Sequence, residues 1–160
     1  MLGFLMVDGA TLQKILQEEA DILNRMVELE GETQAVLVRG DAAELDKLNS
    51  RKEELIKGLA ALEEQRKQVF SEETTLEEYL ITKEPQNRLE LTEIKRIIIN
   101  LHASLQKRLE INRYLLYHNL QFARNAMNAI FPDMNDTVYA SRGERMEQTG
   151  ISSGLLDLNA

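Results

Sequence analysis

The side chains that could support chemistry in this chain of 160 residues are two histidines, several paired glutamates, and scattered serines and tyrosines. His102 and His118 lie sixteen positions apart, and neither forms the Glu-x-x-His or His-x-x-x-His pair that builds metal sites in helical bundles. No glycine-rich loop follows a predicted strand, so a nucleotide-binding loop is not expected. Gly150 and Gly154 belong to the C-terminal tail. We therefore expect no catalytic site, no metal site and no cofactor, with both histidines at a helix surface or core edge.

Pairs of glutamates are the other candidates for chemistry, as ligands of a metal ion. None of the pairs has the spacing of a calcium loop or of an inward-facing carboxylate array. Acids that alternate with bases three or four positions apart support solvated helix faces. We therefore expect solvated faces at the pairs that begin with Glu18, Glu53, Glu63, Glu72 and Glu77.

The composition indicates an all-α protein without disulfide or thiolate chemistry. The chain is 43% hydrophobic, 29% charged and 5% aromatic, with two prolines, no tryptophan and no cysteine. Its net charge of −8 opposes binding to a phosphate backbone, so a nucleic-acid partner is not expected. The apolar start "MLGFLMV" has no basic region and is too short to span a bilayer. We expect a cytoplasmic protein without stable membrane insertion.

Apolar periodicity predicts two consecutive helices joined by a tight turn. The first covers residues Leu12–Leu37 and ends where Gly40 can adopt a left-handed conformation, and Asp41 with Glu44 can cap the second. The short connection predicts an antiparallel hairpin. The seam of the second helix, read in steps of three and four, is interrupted by two long basic side chains: Leu45, Leu48, Lys52, Leu55, Leu59, Leu62, Arg66 and Val69. Gly58 within it indicates close approach of a neighbouring helix.

A connector and a long third helix follow the hairpin. Thr75 and Glu78 form a predicted capping box for a short helix that ends at Pro85. Asn87 and Glu90 can cap a third helix that continues to Pro132 and would be about 65 Å long, longer than either partner. We predict a three-helix coiled-coil-like bundle domain over residues 1–132, followed by a flexible C-terminal arm over residues 133–160.

Opposite charges predict how the helices are arranged. Residues 11–38 carry six acids and two bases, a net charge of −4, whereas residues 88–131 carry three acids and seven bases, a net charge of +4. Such complementarity favours the first and third helices as parallel neighbours.

The seam of the third helix becomes polar in its C-terminal half, at Arg108, Asn112 and Asn119. These residues either specify helix register or mark where the bundle stops covering that face; the length of the helix favours the second interpretation. An uncovered stripe would then be a binding surface formed by Leu115, Leu116, Leu120, Phe122 and Met127. A weak homodimer that buries this stripe is the structural alternative.

The closing segment "ISSGLLDLNA" is unusually apolar for a tail. It is predicted either to close over a bound partner or to fold back onto the third helix. Its apolar residues are Ile151, Leu155, Leu156 and Leu158.

The order of these segments resembles the FlgN family of flagellar export chaperones. The stretch "LQKILQEEADILNRMVELEGETQAVLVRGDAAELDKLNSRKEEL" is similar to the opening hairpin of that family, and Asn112 followed by Leu115, Leu116 and Leu120 is similar to its third helix. The tail resembles the family's Tyr-x-x-x-Gly element at Tyr139 and Gly143 in "VYASRG", and its short apolar ending in "GLLDLNA".

The resemblance implies a cytoplasmic, non-enzymatic chaperone of the flagellar type III secretion system. Its clients would be the hook-filament junction proteins FlgK and FlgL, whose terminal assembly helices must be covered before export. The same resemblance implies a contact of Tyr139 with the export gate. The alternative is a structural coiled-coil protein that self-associates through the third helix.

Overall fold

The computed structural model describes residues 9–70 and 75–132, and the regular secondary structure in these ranges is helical. Four helices follow one another along the chain: α1 (Gly9–Arg39), α2 (Ala42–Val69), α3 (Leu76–Lys83) and α4 (Arg88–Ile130). The prediction of an all-α protein is confirmed for these residues. None of the helices is long and apolar enough to cross a membrane within the described ranges.

The turn between α1 and α2 has the predicted local chemistry. Gly40 has a φ of +70°, and its N–H donates to the carbonyl of Val36 over 2.9 Å. Asp41 then caps α2, because its carboxylate accepts the N–H of Glu44 at 3.1 Å. Glycine adopts this backbone conformation at little steric cost, so the chain reverses within two residues.

α1 and α2 pack along each other in opposite directions. Three ion pairs join them, and residues of rising number on α1 meet residues of falling number on α2: Glu19 with Arg66, Glu30 with Lys52, and Glu32 with Arg51. A Cβ added at Gly58 would lie 3.2 Å from Cδ1 of Ile22. The close approach predicted at Gly58 is therefore confirmed.

The connector helix α3 begins at the predicted capping box. The Thr75 hydroxyl accepts the N–H of Glu78, and the Glu78 carboxylate accepts the N–H of Thr75. Leu80 is buried, and the rings of Phe70 and Tyr79 meet edge to face with their centroids 5.6 Å apart. These contacts attach α3 to the end of α2.

The part of α4 that belongs to the first unit lies alongside α1, in the same direction. At its start, the side-chain amide of Asn87 donates to the Gly9 carbonyl and to Oε1 of Gln13, each over 2.8 Å. Further along both helices, Asn112 donates to Glu30. The sequence predicts that Asn87 caps α4. Asn87 precedes α4, and its backbone carbonyl accepts the N–H of Leu91. Its side-chain amide, however, donates to α1.

The buried apolar residues form two clusters. The larger one joins α1, α3 and α4 and consists of Leu12, Leu16, Leu23, Phe70, Leu80, Leu91, Ile94, Ile98 and Leu105. The smaller one belongs to α1 and α2, near the turn, and consists of Leu29, Val36 and Leu48. Glu30, which follows Leu29 in the sequence, and Asn112, whose side chain donates to Glu30, are also buried.

The chain divides into two compact units, Met1–Tyr117 and His118–Ala160. All contacts given above belong to the first unit. In the second unit the structure describes residues 118–132, of which residues 118–130 form the last part of α4. The predicted boundary between a bundle and an arm at residue 133 remains a prediction, because residues 133–160 lie outside the described ranges.

Candidate interaction surface on the long helix

The inner side of the first unit contains a buried carboxylate held by two other helices. Oε1 of Glu30 lies 2.8 Å from Nζ of Lys52 on α2, and Oε2 accepts the side-chain amide of Asn112 on α4 at 2.6 Å. The same amide also donates to the Glu30 carbonyl, over 2.9 Å. This polar layer fixes where α2 and α4 lie along α1.

A second buried carboxylate, Glu19, corrects one prediction from the sequence. Glu19 belongs to the glutamate pair that begins at Glu18, which was expected to be solvated, but it is buried. Nη1 of Arg66 donates to both of its oxygens over 3.2 Å. Burial raises the pKa of Glu19, whereas the charges of Arg66 and His102 lower it and that of Glu63 raises it further. His102 is half-buried and lies near Glu19, at the edge of the core.

A signal for both inward-facing acids was present in the sequence. The apolar seam of α1, followed from Leu12 in steps of four and three, passes through Leu16, Glu19, Leu23, Met26 and Glu30. The seam of α2 contains bases at Lys52 and Arg66, which need acidic partners if they face another helix. Reading the two seams together would have paired these four residues.

Asn112 marks the end of the covered face of α4. It is 6% exposed and is the last residue of α4 that is buried, among the described residues. Its Oδ1 is buried and accepts no hydrogen bond from the described part of the chain. One turn earlier, Arg108 packs so closely against Gly31 that an added Cβ there would collide with its Nη1. Both polar residues therefore contact α1, as the register interpretation expects.

The predicted binding residues on α4 follow Asn112. In the first unit, Leu115 is half-buried and Leu116 is 43% exposed. In the second unit, Leu120, Phe122 and Met127 are 55%, 77% and 52% exposed. Whether these side chains bind a partner remains a prediction, but each of the last four presents a large apolar surface.

Sequence reasoning missed several exposed apolar side chains on the same helix. Tyr114 and Tyr117 are exposed in the first unit; in the second, Ile130 at the end of α4 and Phe131 directly after it are exposed. The prediction followed one leucine-rich stripe, so aromatic residues outside that stripe were not considered. Exposed tyrosines combine a large apolar ring with a polar hydroxyl, which is typical of protein-binding surfaces.

The remaining predicted site residues lie outside the described ranges. They are Tyr139, Ile151, Leu155, Leu156 and Leu158. Within residues 9–70 and 75–132, no group of three histidine, aspartate or glutamate side chains could hold a metal ion. The described part of α4 offers a partner exposed apolar side chains together with charged ones.

Comparison with known proteins gives one family. Residues 6–147, which include all four helices, match the family described as FlgN protein. No curated protein and no solved structure matches the chain.

Proposed function

Because the chain belongs to the FlgN family of flagellar export chaperones, we propose that it binds the hook-filament junction proteins FlgK and FlgL in the cytoplasm before type III secretion. The client segments would be the terminal helices with which these proteins assemble after export. Such helices need their apolar faces in the filament, so they require cover beforehand. The protein acts in this scheme by binding alone, without catalysis or a cofactor.

The observation that supports this proposal is the change in exposure along α4. Leu91 and Leu105 are buried in the core of the first unit, whereas Leu116, Leu120 and Phe122 are exposed. We infer that α1, α2 and the first part of α4 form a three-helix, coiled-coil-like bundle that holds the helix rigid. A client helix could then lay its apolar face on the exposed side chains, as in other helix-in-groove complexes.

We propose that the C-terminal segment completes the site as a lid. The segment carries four large apolar residues in its last ten positions, Ile151, Leu155, Leu156 and Leu158. Closing over the client would bury these side chains together with the client helix. Tyr139, which precedes them, is proposed to contact the export gate.

This design gives reversible binding. Ordering a segment on contact costs about 2–5 kcal/mol or more of the gross interaction free energy. The resulting affinity is moderate, which suits a chaperone because export requires that the client be released.

Calorimetry with the full chain tests the proposal. We expect the protein to bind purified FlgK and FlgL, titrated separately, and to lose affinity when Ile151–Ala160 are deleted while helicity and melting temperature stay nearly unchanged. Absence of binding to both proteins would overturn the proposed function. Unchanged affinity of the truncated chain would remove only the lid.

Self-association through α4 is the second candidate function, and the exposed apolar side chains also favour it. Light scattering distinguishes the two functions. A stable dimer whose α4 amides are protected from hydrogen exchange without a client would support a structural coiled-coil protein. A monomer that binds client with one-to-one stoichiometry would support the chaperone.

A further inference from the structure

The C-terminal part of α4 is basic within an acidic protein. Residues 113–131, which follow the last buried position of α4, contain the bases Arg113 and Arg124 and no acid, a net charge of +2, whereas the whole chain has a net charge of −8. Apolar side chains alternate with these bases on the same helix. A partner of this surface therefore meets both apolar area and positive charge.

The part of α4 that precedes this surface shows which kind of helix α4 binds. There, the neighbour is α1, whose residues 11–38 have a net charge of −4 and whose apolar seam contains acids. One of these acids, Glu30, receives the side-chain amide of Asn112 at the last buried position of α4. An acidic amphipathic helix is thus the partner that α4 already binds within the first unit.

Arg113 is placed to meet a further acid directly after that position. It is exposed, and it makes no ion pair with another described residue. Leu116 lies one helical turn later, so the two side chains share a side of the helix. A helix that buries Leu116 would therefore bring its flanking residues close to the guanidinium of Arg113.

We propose, resting on the proposed function, that the client segment bound by α4 is an acidic amphipathic helix. Its apolar residues, spaced three and four apart, pack on Leu116, and an aspartate or glutamate on its flank pairs with Arg113. A second copy of this chain fits less well, because two C-terminal parts of α4 would bring together net charges of +2 each. The charge pattern thus assigns the surface to an acidic client.

Charge reversal on the full chain tests this inference, with purified FlgK and FlgL as probes. Arg113→Glu should weaken binding about three- to tenfold at low salt, because an attraction becomes a repulsion. Arg113→Lys should keep nearly the original affinity. Lys57→Glu is the matched control: Lys57 is exposed on α2, makes no ion pair with a described residue, and undergoes the same change of charge. It should alter affinity by less than about twofold.

Salt and client variants complete the test. Raising the ionic strength should weaken binding by the wild type and reduce the difference between wild type and Arg113→Glu, because screening shortens the reach of exposed charges. Replacing the acids of the client helix by their amides should reduce the effect of Arg113→Glu in the same way.

The outcomes separate this inference from the proposed function. Binding that is independent of salt, or an Arg113→Glu effect no larger than that of Lys57→Glu, would overturn the acidic-helix inference and leave the chaperone function standing. No binding of either client to the wild type would overturn both. A dimer that dissociates on Arg113→Glu would assign the surface to a second copy of this chain and overturn the inference.

Discussion

Glu30 connects three helices through a single carboxylate. Lys52 and Asn112 occupy its two oxygens, and they come from α2 and α4. An intact buried ion pair stabilises a protein little more than apolar side chains of similar volume would. Removing one partner is strongly destabilising, because it leaves a buried charge without compensation. Any register that moved α2 or α4 by one turn would leave Glu30 unpaired, so the layer selects one alignment against its neighbours.

We expect removal of the Lys52 charge to destabilise the first unit. Lys52→Met keeps the aliphatic stem but leaves Glu30 buried with Asn112 alone, which should lower the free energy of unfolding by about 2 kcal/mol. Urea denaturation followed by circular dichroism measures the change. Lys57→Met, on the exposed side of α2, is the control and should change it by less than about 0.5 kcal/mol. Equal effects of the two variants would contradict the assigned role of Glu30.

Glu19 predicts a dependence of stability on pH. Burial raises its pKa above the ordinary value of 4.5, so the folded state holds this proton more tightly than the unfolded state. Stability contributed by this group is therefore present at low pH and declines as the pH rises through and above about 4.5. Relative to Glu19→Gln, the wild type should lose free energy of unfolding between pH 4 and pH 7. Denaturant midpoints of both proteins across this range measure it, and a constant difference would contradict the prediction.

At the scale of elements, the turn between α1 and α2 depends on one backbone conformation. Gly40 is left-handed, and Asp41 starts the next helix directly after it. Because the reversal is completed within these two residues, strain at Gly40 cannot be spread over a longer loop.

Gly40→Ala should therefore destabilise the protein by about 1 kcal/mol, since a Cβ disfavours a positive φ. Asparagine tolerates this conformation better, so Gly40→Asn should cost roughly half as much. No heavy atom lies within 4 Å of a Cβ added at Gly40, so the change in stability reports the backbone conformation and not a steric clash. Thermal denaturation of the three proteins gives the order; similar melting temperatures for all three would contradict it.

Local chemistry explains which elements could be predicted from the sequence. The caps at Asp41 and Thr75 and the turn at Gly40 depend on residues adjacent in the chain, and the structure confirms them. The inward-facing Glu19 depends on Arg66, which is distant in sequence, and it was expected to be solvated. Side-chain polarity alone could not predict its position, because the pairing of two seams decides it.

At the scale of the molecule, stability and proposed binding depend on different residues. The core cluster that includes Leu12, Leu23 and Leu91 lies in the first unit, whereas Leu120 and Phe122 belong to the second and are exposed. The exposure of these two side chains could be predicted from the length of the helix. Arg108 and Asn112 contact α1 and fit the other interpretation, in which they specify helix register. The partner of this surface could not be predicted from these side chains, because an exposed apolar surface indicates that a partner binds but does not identify it.

Truncating the exposed side chains should therefore separate binding from stability. Leu120→Ala combined with Phe122→Ala should leave the melting temperature within about 2 °C of the wild type, because neither side chain is buried. Affinity for FlgK or FlgL should fall at least about tenfold, since large apolar anchors dominate such interfaces. Val38→Ala is the matched control, because Val38 is 70% exposed on α1. Calorimetry gives the affinities. If the double variant binds as tightly as the Val38→Ala control, client binding does not use these side chains; if it melts early instead, they stabilise the fold.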